Sequence, residues 1–105
     1  MLNVRSDLFV GESLKEKYQK ILPRIEKGKK VKKGIMMITY AVNGNDLFDL
    51  IPAKEMKLSV RQEQNLYVLG LAGNRREAFS MVQEMVMEVY EKTGGFDVRG
   101  YFGFE

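Results

Sequence analysis

Residues 66–95 read LYVLGLAGNRREAFSMVQEMVMEVYEKTGG, and this stretch decides the fold. Leu66 to Leu71 is an apolar run of strand length, with Gly70 and Gly73 bracketing its exit. Asn74 followed three residues later by Glu77 is a helix-start pattern, with Asn74 as the N-cap. From Arg75 to Lys92, residues Ala78, Phe79, Met81, Val82, Met85, Val86, Val89 and Tyr90 fall on one broad face, the strongest helical periodicity in the chain. Thr93-Gly94-Gly95 stops that helix. A buried strand leading directly into a core helix marks the chain as mixed α and β.

Working outward, Phe96 to Phe104 alternates Phe96, Val98, Phe102 and Phe104 against Asp97, Arg99 and Tyr101, which predicts a closing strand. Upstream, IMMITYAV at 35–42 predicts a strand apolar on both faces, and Asn43-Gly44 supplies a tight hairpin turn into a partner strand at Leu47 to Ile51, ended by Pro52. Residues 53–65 are ambiguous between a short strand at Lys57 to Val60 and a polar turn. Leu14 to Lys27 predicts the first helix, with Tyr18, Ile21, Leu22 and Ile25 on its apolar stripe. Ser13 with Glu16 forms a capping box at its start, Pro23 interrupts it opposite the stripe, and Gly28 stops it. The expected fold is α+β, a mainly antiparallel four- to five-stranded sheet with two helices packed on it, in the order α-β-β-(β)-β-α-β. With 105 residues and 45% hydrophobic content, residues 1–105 are expected to form a single domain.

There are no cysteines and no histidines. Disulfides, thiolate nucleophiles, imidazole bases and the usual zinc ligands are therefore excluded, and no carboxylate or lysine pair stands at a catalytic spacing. The expectation is a protein that is not an enzyme, with no cofactor and no metal. The start lacks the apolar core of a signal peptide, and no run reaches the ~18 apolar residues that span a bilayer, so a cytoplasmic chain with no membrane segment is expected.

The net charge of +3 hides an asymmetry. Residues 12–33 hold nine basic against three acidic residues, net +6, and the rest is net −3. Lys17, Lys20, Arg24 and Lys27 lie along one helix flank, and Lys29, Lys30, Lys32 and Lys33 carry the charge toward the first strand. These eight could track phosphates; the competing account is a solvated helix face followed by an aggregation-resistant lysine loop. Arg75 and Arg76 sit at a helix start where acids are preferred, so they and the amides after Gly73-Asn74 form a candidate anion site, against ordinary exposed arginines. Glu77, Glu84, Glu88 and Glu91 form an acidic flank that could meet the basic flank of the first helix, within one molecule or between copies. Met87 projects from the polar side of its helix.

Two partial resemblances concern RNA. The C-terminal RGYFGFE resembles the aromatic signature of the RNA-recognition motif at Arg99, Gly100 and Tyr101, which implies rings stacked on bases; Phe102 departs from it by standing at a small-residue position. Asn74-Arg75-Arg76-Glu77-Ala78 is similar to the start of the second helix of the double-stranded-RNA-binding domain, which implies phosphate contact. The histidine-bearing loop of that domain is missing, and Phe79 replaces an expected lysine.

The leading expectation is a small non-catalytic interaction module that self-associates as a homodimer, through an edge such as Leu47 to Ile51 or the C-terminal strand. The alternative is a non-sequence-specific nucleic-acid-binding accessory protein that uses the basic segment 15–33.

Overall fold

The computed structural model describes residues 2–42 and 47–103. Four strands, β1 (Leu2–Val10), β2 (Met36–Tyr40), β3 (Phe48–Pro52) and β4 (Leu66–Ala72), form one sheet in the order β1-β4-β2-β3. Among the described residues there are four α-helices: α1 (Tyr18–Glu26), α2 (Ser59–Glu63), α3 (Arg75–Thr93) and α4 (Val98–Phe102). Short 3-10 turns lie at Glu12–Leu14 and Ala53–Lys57. The class is α+β as expected, and the sheet is mixed: β2 pairs antiparallel with β3 and with β4, while β1 pairs parallel with β4.

β2 and β4 are buried on both faces, as their apolar runs require. One face packs Ile35, Met37, Leu66, Val68 and Leu71 against Leu14 and the α1 stripe of Tyr18, Ile21, Leu22 and Ile25. The other packs Met36, Ile38, Tyr40, Leu69 and Ala72 against Ala78, Met85 and Val89 of α3 and Val98 of α4. The sheet is therefore a middle layer with helices on both sides.

Four expectations are corrected. The chain opens on a strand: Val4 pairs with Val68 and Phe9 with Gly70, so residues 5–8 stand opposite Leu69 alone and break the alternation that would have revealed β1. The first helix begins at Tyr18, and Ser13 bonds Glu77 instead of capping with Glu16. Residues 53–65 hold a 3-10 turn and α2, with no strand at Lys57 to Val60.

The C-terminal segment is helix α4, so the resemblance to the RNA-recognition motif lapses, because its rings do not lie on a strand. Asp97 caps α4 by accepting from the Gly100 amide at 3.0 Å. Arg99 anchors it by donating to the Ala41 carbonyl at 2.8 Å, with its guanidinium 4.9 Å above the Tyr40 ring, and the Tyr40 hydroxyl donates to the Gly103 carbonyl at 3.1 Å. Asn43-Gly44 and Phe104 lie outside the described residues.

On α3, Ala78, Met85 and Val89 are fully buried, Val82 and Val86 are half-buried, and Phe79 and Tyr90 are exposed. The buried stripe is thus narrower than the apolar face. Val89→Asp should prevent folding by burying an unpaired charge, and Met85→Ala should cost about 2–5 kcal/mol, whereas Val86→Asp should lower the melting temperature less than Val89→Asp. Thermal melts of the three variants check this order.

Candidate anion-binding cleft

α1 ends in a Schellman turn: the Lys29 amide donates to the Arg24 carbonyl at 2.8 Å, the Gly28 amide to Ile25 at 3.0 Å, and Gly28 adopts φ +67°. This reverses the chain, so residues 30–32 return alongside the helix. Arg24 holds that segment by donating two hydrogen bonds, at 2.9 and 2.6 Å, to the Lys30 carbonyl. Between the two walls opens a cleft of about 630 Å³, within the usual range for ligand sites.

Lys17, Lys20 and Arg24 line one wall of the cleft, and Lys30 and Lys32 the other. Leu14, Ile21, Val31 and Ile35 supply an aliphatic floor, and Ser13, Gly73 and Asn74 close one end at the start of α3. Among the described residues no carboxylate lines the cleft, and the ion pairs are Arg5–Asp7, Lys15–Glu12 and Arg61–Glu55, none of which involves these five cations. Of the eight basic residues expected to act together, the fold gathers five. Lys27, Lys29 and Lys33 are exposed outside the lining.

Arg75 and Arg76 are exposed and also outside the lining, with the Arg75 guanidinium 5.7 Å from the Phe79 ring centre. The neighbouring Gly73 amide already holds a carboxylate. Glu77 accepts from the Gly73 amide at 2.7 Å, the Ser13 hydroxyl at 2.8 Å and the Ser13 amide at 3.3 Å, while its own amide donates to Asn74 Oδ1 at 2.9 Å. Asn74 and Glu77 thus cap α3 as their spacing predicts, and the carboxylate reaches across to Ser13. A Cβ on Gly11 would displace that carboxylate and one on Gly73 the Ser13 hydroxyl, so glycine at both positions leaves room for this contact.

Beyond Glu77, the acidic flank of α3 does not meet α1, because the sheet lies between them. Glu84 and Glu88 instead border a small cavity with Phe9 and Val10 of β1. The Tyr101 hydroxyl is pushed above its ordinary value by burial, and further by its hydrogen bond to Glu88 and the charge there.

No known family, curated protein or solved structure matches the chain.

Burial alone would raise the Glu77 carboxyl, but the Gly73 and Ser13 donors more than offset it and hold the group below its ordinary value. Its stabilising contribution is therefore complete above the unfolded carboxyl's pKa of about 4.3 and is lost as pH falls through the lower folded value. Glu77→Gln should cost roughly 1–2 kcal/mol at neutral pH, and the gap to the parent should close on acidification, as followed by urea unfolding at a series of pH values.

Proposed function

We propose that this chain is a small non-catalytic binding module whose cleft takes the phosphate backbone of a nucleic acid without reading its sequence. The observation that carries this is the gathering of Lys17, Lys20, Arg24, Lys30 and Lys32 around one concavity with no carboxylate in its lining. A merely solvated lysine surface has no reason to be concave or to have one wall tied to the other through Arg24 and the Lys30 carbonyl. Neutralising phosphates there would release condensed counterions, which makes binding strong at low salt and steeply salt-dependent. The floor is aliphatic and no aromatic ring among the described residues lines the cleft, so bases find no stacking platform there and the contacts are with the backbone.

Fluorescence anisotropy of a labelled oligonucleotide of arbitrary sequence tests this. Five contacts give an expected slope of log K against log salt of about −3.5 to −4.5, from about −0.7 per contact for a single strand to about −0.9 for a duplex. Reversing Lys17, Lys20, Lys30 and Lys32 to Glu should abolish binding while circular dichroism stays that of the parent. Reversing Lys27, Lys29 and Lys33 should leave most of the slope. Absence of binding by the parent protein at low salt would overturn the proposal, as would equal losses in the two sets of variants.

A further inference from the structure

β3 is an edge strand. The Ala53 amide donates to the Ile35 carbonyl at 2.8 Å, which sets the phase of the ladder: Asp49 and Ile51 face β2, and the amides of Phe48 and Leu50 point outward. Pro52, with no amide, stands where β3 ends.

The flank of α3 turned toward this side of the sheet is apolar. Met81, Glu84, Met85 and Glu88 face β1, so the opposite flank of α3 is turned toward the β3 side of the sheet. That flank carries Phe79, 53% exposed, half-buried Val86, and Tyr90, 48% exposed. Phe96, also 53% exposed, stacks on Tyr90 with ring centres 5.3 Å apart. Exposed rings on a helix flank turned toward the same side of the sheet as an edge strand form a surface that stable chains cover.

We propose that a second copy of this chain covers it across a two-fold axis, pairing β3 antiparallel with its own copy. The edge is self-complementary about Leu50. The Leu50 amide and carbonyl of each copy exchange hydrogen bonds with those of the other, and each Phe48 amide reaches the other copy's Pro52 carbonyl. Because both β3 edges are consumed, the assembly closes as a dimer and does not propagate. Charge points to the same occupant. Arg75 and Arg76 stand at the N-terminal end of α3 without a carboxylate partner among the described residues, while at the other end Glu91 is balanced by Lys92 and the negative end of the helix dipole remains. A two-fold axis reverses one helix against the other and brings the cationic end of each toward the anionic end of its neighbour. The basic clefts, on the far side of the sheet, stay open.

Sedimentation velocity over a concentration series should give twice the chain mass for the parent. Phe79→Glu and Tyr90→Glu should each weaken association at least tenfold with unchanged circular dichroism. Met87→Glu, on the outward side of α3, should leave the dimer intact. A parent that stays monomeric at high micromolar concentration would overturn the proposal and leave the surface to a different protein. A dimer that survives both ring substitutions would overturn it equally, by placing the contact elsewhere.

Discussion

The central strand β4 must be paired on both edges and covered on both faces, and the rest of the structure follows from that demand. Its residues are almost wholly buried, so every amide and carbonyl needs a partner within the protein. β1 supplies one edge in parallel and β2 the other in antiparallel. A sheet whose two inner strands are apolar on both sides then calls for helices on both sides. α1 with its flanking turns covers one face, and α3 with α4 covers the other.

That layering separates the charges. The basic flank of α1 and most of the acidic flank of α3 end on opposite sides of the sheet, and only Glu77 reaches across, to Ser13 and Gly73 at the end of the cleft. The positive side is then folded back on itself by the turn at Gly28, which turns a row of lysines into two facing walls. Concentrating like charges is unfavourable for the isolated domain, and a bound anion relieves it. The negative side is partly absorbed by packing, with Glu84 and Glu88 beside β1 and Tyr101.

The contact of Ser13 with Glu77 joins the two layers at the end of the cleft. Glu77 caps its own helix and at the same time accepts from both the hydroxyl and the amide of Ser13, 64 residues away. Gly11 and Gly73 provide the room for this approach. The position of the turn before α1, and with it one end of the cleft, is thus tied to the start of α3.

What the sequence determined by itself was local. The two-faced apolar run of β2, the β4 run, the Asn74–Glu77 cap, the glycine stop at Gly28 and the α1 stripe all follow from periodicity and capping chemistry within a few residues, and each is present in the structure. The basic character of the candidate site was legible in the same way, as eight cations within 17 positions. What only the tertiary structure decided was non-local. β1 exists because a parallel partner more than 60 residues away accepts it, and its alternation is broken where residues 5–8 face Leu69 alone. Phe96 to Phe102 satisfies a period of two as well as the i, i+4 pair Val98 and Phe102. Asp97 as a cap and Arg99 reaching Ala41 settle it as a helix. Ser13 offered itself equally to Glu16, three residues on, and to Glu77 across the sheet. The second pairing prevails because burial against Gly11 and Gly73 brings the carboxylate within reach of three donors, which nothing in the neighbourhood of Ser13 could announce.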